Sequence, residues 1–222
     1  MCRLDYILMA ISITIALTPS LSILIYIARR KPMYWIDSLL GGGGWFIALL
    51  LRLPLLGLIS RMNIMVRLVL SAFLAGIFEE SVRYVTMKFR MGSNTLFTRC
   101  LTFGLGWGLF EALVIYCFNV PLIIALGSYT VIGLMAGAIE RNIAILIHVT
   151  MTLLIALSIT LAKLRYFVLA VTLHALIDCM GIITLLIRNP LIIETLIAIP
   201  SIVMAFIIIN YSRRILEEIL KK

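Results

Sequence analysis

Ionisable side chains stand at helical spacing inside long apolar runs of this sequence. Glu79, Glu80 and Arg83 lie in the stretch Phe78-Glu79-Glu80-Ser81-Val82-Arg83-Tyr84. Residues three and four apart share a helix face, so both carboxylates can approach one guanidinium. Such a group can divide its labour, one carboxylate paired and the other free to take a proton, or it can be a salt bridge that only neutralises itself. Glu111 closes a glycine-rich stretch, Phe103-Gly104-Leu105-Gly106-Trp107-Gly108-Leu109-Phe110-Glu111, whose small residues let another helix or a substrate backbone come close. Arg141 and His148 are seven apart and fall on one face. His174 and Asp178 are four apart and share another, where a carboxylate can orient an imidazole for proton transfer or metal binding.

These groups matter because of where they lie. A charged side chain near the centre of a bilayer costs about 2.5–3.5 kcal/mol on insertion scales, and such residues usually face a bundle interior or a wet cavity. Glu79, Glu80, Arg83, Glu111, Glu140, Arg141, His148, His174, Asp178 and Glu194 all fall in or beside apolar runs, and they include both histidines of the chain. Carboxylates and imidazoles gathered from four helices suit the activation of a water, with a carboxylate as general base and histidines as metal ligands or oxyanion donors. They equally suit a proton or cation pathway, and spacing does not choose between the two.

The elements that must position these residues are transmembrane helices. The chain has 222 residues, 63% hydrophobic and 13% charged, with a mean hydropathy of +1.16. Soluble domains are roughly 45–50% apolar and about 25% charged, so this is an all-α integral membrane protein, not a disordered chain, a disulfide scaffold or a nucleic-acid-binding domain. Spans need about 20 apolar residues, and the runs predict eight, 5–28, 34–59, 64–86, 96–118, 120–139, 141–162, 166–188 and 190–211, or seven if Pro121 and the glycines of 120–139 make that run short or re-entrant. The first reads as an uncleaved span. All 222 residues form a single membrane domain with lipids as its surroundings, expected in the plasma membrane.

The net charge of +9 comes from basic residues between the runs, such as Arg29, Arg30 and Lys31, or Lys88 and Arg90, which anchor helix ends at anionic lipid surfaces. Glu140 and Arg141 read as an anchor of the same kind. The tail Arg213–Lys222 reads as an amphipathic extension on the membrane surface. Across eight spans the Lys and Arg residues divide 10 against 8, leaving out Arg83, which is too even to orient the chain. Cys2, Cys100, Cys117 and Cys179 form no CxxC pair and are expected to pack inertly. Gly41–Gly44, Gly104–Gly108 and Gly133–Gly137 read as close helix contacts.

In combination, GIFEESVRY, FGLGWGLFEA, ERNIAILIH and LAVTLHALID resemble the YhfC family of intramembrane metalloproteases, grouped with the CAAX prenyl proteases and PrsW-like proteases. The resemblance covers roughly residues 75–182. It implies a CAAX-protease-like helical core in which Glu79 or Glu80 is the general base on a water and Arg83 orients them. Glu111, His148 and His174 would bind a divalent metal, expected to be zinc, or stabilise an oxyanion, and Asp178 would orient His174. The activity implied is hydrolysis of a peptide bond in a membrane-associated or transmembrane substrate. Trp107 stands where the resembled sequences place a histidine, and it cannot act as a base or an ordinary metal ligand. A mechanism without metal, and an inactive scaffold that binds a partner helix, are the competing readings. A proton-coupled carrier fits less well, because the halves of the chain show no internal repeat.

Overall fold

A computed structural model describes residues 3–29, 31–92 and 96–219. Cys2, Arg30 and the last three residues of the basic tail lie outside the described residues. Among the described residues the chain forms seven long helical stretches and no strand. They are α1 (Arg3–Ala28), α2 (Pro32–Ile59), α3 (Ile64–Met91), α4 (Phe97–Ala125), α5 (Val131–Thr160), α6 (Arg165–Leu186) and α7 (Pro190–Ile219). Six are long and apolar enough to cross a membrane. The other, α3, has 28 residues but carries Arg67, Glu79, Glu80, Arg83, Lys88 and Arg90. It packs between α2 and α6, which lets its central charges meet partners instead of lipid.

Seven long helices thus stand where eight runs were counted, the alternative that the run at 120–139 left open. The runs at 96–118, 120–139 and 141–162 fold as two helices, α4 and α5. The true break is a turn at Gly127, whose φ of 66° favours glycine, followed by Thr130, whose side chain accepts from the Gly133 N–H at 3.0 Å and caps α5. Glu140 and Arg141 looked like a helix end because charges are costly in lipid. They lie instead within α5, facing inward, so their reading as an interface anchor is overturned. At the other end of the chain, α7 runs unbroken through Arg213 and Arg214, which pair with Glu217 at 2.8 Å and Glu218 at 3.0 Å one turn on. The tail prolongs the last span instead of forming a separate surface helix.

Helix α5 is the axis of the bundle. Its apolar window is 72% buried, against 28% or less in the other five apolar spans, and it packs against α1, α4, α6 and α7. The outer helices present exposed residues such as Leu39, Phe89 and Leu186, as a lipid-facing surface requires. Helix α4 sits between α2 and α5 on glycine contacts. A Cβ on Gly41 would lie 2.1 Å from the Phe103 carbonyl oxygen, and one on Gly106 would lie 2.0 Å from that of Ser38. On the opposite side, Gly104 and Gly108 meet the α5 backbone at Val149 and Ile145. The Gly133–Gly137 pair makes no such backbone contact: Gly137 faces the Tyr116 ring and Gly133 its own cap.

Seven crossings put successive helix ends on alternate sides. One side holds Arg29 and Lys31, then Lys88, Arg90 and Arg99, then Lys163 and Arg165, then Arg213 and Arg214. The other holds Arg3, Arg61, Arg67 and Arg188. On the first side Asp37, fully buried, is clamped by Arg99 (Nε to Oδ2, 2.7 Å) and Arg90 (Nε to Oδ1, 3.2 Å). Three helix ends are thereby tied together, and two arginines of the basic loops prove to be structural.

Candidate functional site

Glu79, Glu80 and Arg83 leave one stretch of α3 in different directions, because adjacent residues on a helix are about 100° apart. Arg83 reaches only one of the two carboxylates: its Nη1 donates to Glu80 Oε2 at 3.0 Å, and its Nη2 donates to His148 Nδ1 at 3.0 Å. The guanidinium lies over the Trp107 ring at 4.3 Å and has no exposure. Glu79 turns away to Arg52 of α2, at 2.9 Å, and accepts the Trp107 indole N–H at 3.1 Å. The expectation that both carboxylates share Arg83 is thus corrected: two arginines serve two glutamates.

A guanidinium can only donate, and this fixes the tautomer of His148. Nδ1 must accept from Arg83, so Nε2 carries the proton and donates it to Glu111 Oε2 across 2.6 Å. Glu111 in turn accepts from Arg141 at 3.1 Å, and Arg141 also pairs with Glu140. A chain of charge-assisted contacts therefore runs from α3 through α5 to α4.

His174 is held by Glu80: its Nδ1 donates to Glu80 Oε1 at 2.7 Å. The Nε2 end lies 3.7 Å from Asp178 and 4.0 Å from Glu79, beyond hydrogen-bond distance. Orientation of His174 by Asp178 is therefore replaced by orientation through Glu80, while Asp178 is exposed into the cavity. The two imidazole rings meet edge to face, 5.6 Å apart.

All seven residues singled out in the sequence, Glu79, Glu80, Arg83, Glu111, His148, His174 and Asp178, converge on one region at mid-height in the bundle. A cavity of about 410 Å³ begins there, lined by Glu111, His148, His174 and Asp178 and, toward one end of the bundle, by Arg52 and Glu194. Glu79 and Glu80 stand behind its wall, 2% and 0% exposed. Arg52 was overlooked in the sequence although a lone arginine in an apolar run is itself a costly feature. Asp37 could have been noticed on the same ground.

Glu79, Glu111 and His148 offer one ligand atom each, all within 4.8 Å of one another. This trio differs from the Glu111, His148 and His174 set expected from the sequence, because Glu80 holds His174 beside it and Glu79 takes its place. Two carboxylates and one imidazole from three helices fit a divalent cation and leave coordination positions open, as catalytic sites require. Binding would release the Nε2 proton of His148, since a ligating nitrogen must be unprotonated.

A bundle of helices, six of them long and apolar enough to cross a membrane, that encloses carboxylates, imidazoles and a cavity defines an integral membrane protein with a buried cluster of ionisable groups. The chain matches the model of the YhfC intramembrane metalloprotease family over residues 12–129 and 118–199, and it belongs to that family. No curated protein matches it.

Proposed function

We propose that the protein is an intramembrane metallopeptidase of the cell membrane that hydrolyses a peptide bond of a membrane-embedded substrate. The observation that carries this reading is the trio Glu79, Glu111 and His148 within 4.8 Å, of which Glu111 and His148 line the cavity and Glu79 stands directly behind its wall. These residues would hold a divalent cation, taken as zinc on the family resemblance, which when bound supplies polarisation of a carbonyl and a more acidic water. His174 is the group placed to move the proton. Its Nδ1–H is committed to Glu80, which leaves Nε2 as an acceptor at the cavity wall. Glu80 has both oxygens engaged, by Arg83 and His174, so it acts as a positioning residue, and the general base passes from the glutamates to His174. The proton taken from water at Nε2 is returned to the leaving amine. Asp178 and Glu79 flank that nitrogen and favour its transient positive charge.

A second reading has its own support. Both oxygens of Glu79 are already taken, by Arg52 and Trp107, and Glu111 is shared between Arg141 and His148. A network so neutralised is complete without a metal and suits a retired scaffold. Metal content of the purified, detergent-solubilised protein separates the two. Near-stoichiometric metal, lost in Glu79→Gln, Glu111→Gln and His148→Ala, is expected for the peptidase. A folded wild type that binds none after incubation with zinc overturns it in favour of the scaffold.

A further inference from the structure

The cavity is one-sided. In α2 its lining begins at Arg52 and continues to Leu56, in the last two turns. In α3 it takes Leu68, Ser71, Ala72 and Ala75, from the first three turns. In α7 it takes Glu194, Ile197 and Ala198, from the first nine residues. His148 and His174 mark its floor near the middle of α5 and α6, and no lining residue comes from beyond them toward the other side. The ends to which it rises are those of the loops 60–63 and 187–189.

These loops belong to the side poor in positive charge. Among the described residues four Lys and Arg flank the spans there, Arg3, Arg61, Arg67 and Arg188, against nine on the opposite side. Cytoplasmic flanks carry the excess of Lys and Arg in membrane proteins. The bias was invisible while 120–139 counted as a separate crossing, because one extra span reverses the side of every later loop.

We infer that the cavity opens to the extracytoplasmic side, and, resting on the peptidase reading, that the substrate is a membrane peptide whose scissile bond lies in the extracytoplasmic half of the bilayer. Arg52 and Arg141, both partly exposed at 14%, stand in the path of such a segment. Both are already paired, Arg52 with Glu79 and Arg141 with Glu111 and Glu140, and the carboxylates of Asp178 and Glu194 line the same path.

Single cysteines in a background without native cysteines test the access side with no need for activity. Ser60→Cys reports the charge-poor side, Lys163→Cys the basic side, and Ser71→Cys and Ala198→Cys the cavity. A charged, membrane-impermeant maleimide added to intact cells is expected to label Ser60→Cys and at least one cavity position, with Lys163→Cys labelled only after the cells are opened. Labelling of Lys163→Cys from outside overturns the orientation. Labelling of Ser60→Cys with both cavity positions reached only from the inner face overturns the access route. Two membrane peptides with the same cleavable stretch, placed near the outer or the inner end, then test the substrate. Cleavage of the outer one alone is expected, and cleavage of the inner one alone overturns the assignment. If the labelling succeeds and neither peptide is cut by the metal-loaded protein, the peptidase reading and the substrate assignment fall together while the access side stands.

Discussion

The indole N–H of Trp107 donates to Glu79 Oε2 at 3.1 Å, while the ring beneath it carries the Arg83 guanidinium at 4.3 Å. The tryptophan that stands in place of an expected histidine thus serves both charged ends of the α3 motif. It gives Glu79 one donor, and it gives Arg83 an aromatic face suited to a cation. It also fills the space that Gly44 leaves open, where a Cβ would lie 2.7 Å from the ring.

Trp107→Phe should keep the ring face and remove the donor. Leaving a buried carboxylate oxygen unsatisfied costs about 1–3 kcal/mol, and the expected outcome is a lower unfolding midpoint in mixed micelles. Trp107→His restores a donor but not the volume, so it should destabilise less through Glu79 and more through packing at Gly44. A midpoint unchanged in Trp107→Phe would show that Arg52 alone satisfies Glu79.

Arg83→Gln should be among the most damaging single changes in the bundle. Removing one partner of a buried ion pair costs about 3–5 kcal/mol, and here Glu80 loses its cation while His148 loses the donor that fixes its tautomer. Unfolding measured beside Arg214→Gln, an exposed pair expected to shift stability by less than about 1 kcal/mol, checks the contrast.

His174→Gln should leave metal binding by the trio intact and lower turnover of a transmembrane peptide by at least about a hundredfold, the low end for a general acid–base group. Glu80→Gln should weaken the same step through the orientation of His174. Equal metal loss in His174→Gln and His148→Ala would return His174 to the ligand set.

Gly41→Ala and Gly106→Ala should force α2 and α4 apart, because each new methyl would fall about 2 Å from a carbonyl oxygen. A loss of about 1–3 kcal/mol, or misfolding, is the expected cost of overpacking. Gly43→Ala, with no atom within 4 Å of the new Cβ, is the matched control and should be neutral or mildly stabilising.

The membrane class and the members of the polar site were legible because charge inside an apolar run is costly, and cost implies purpose. The same reasoning misplaced Glu140 and Arg141. Charge marks either a helix end or a lined cavity, and only the partner Glu111, thirty residues earlier, tells which. Arg52 and Asp37 were hidden among apolar neighbours, although their partners Glu79 and Arg99 lie in other helices. Which glutamate Arg83 holds could not be read from i, i+3 and i, i+4 spacing, since both are permitted. Packing against α2 decided it by supplying a second arginine for Glu79.

Directly after Glu111, residues Ala112–Cys117 widen into a π-helical turn, closed by the Phe118 N–H bonding to the Leu113 carbonyl at 3.1 Å. Before that point α4 is pinned on both sides by glycine contacts, and after it the helix runs on with a shifted phase. Such a turn holds one more residue than an α-helical one. Glu111 therefore sits at a joint between a shaft clamped by glycine contacts and an arm that packs through Val120 and Ile124. Deleting a single residue from 112–117 would remove the extra residue that the wide turn absorbs and close it to α-helical winding, so the Asn119–Ala125 arm would keep nearly the face it now presents, while the carboxylate itself stayed where the clamp leaves it.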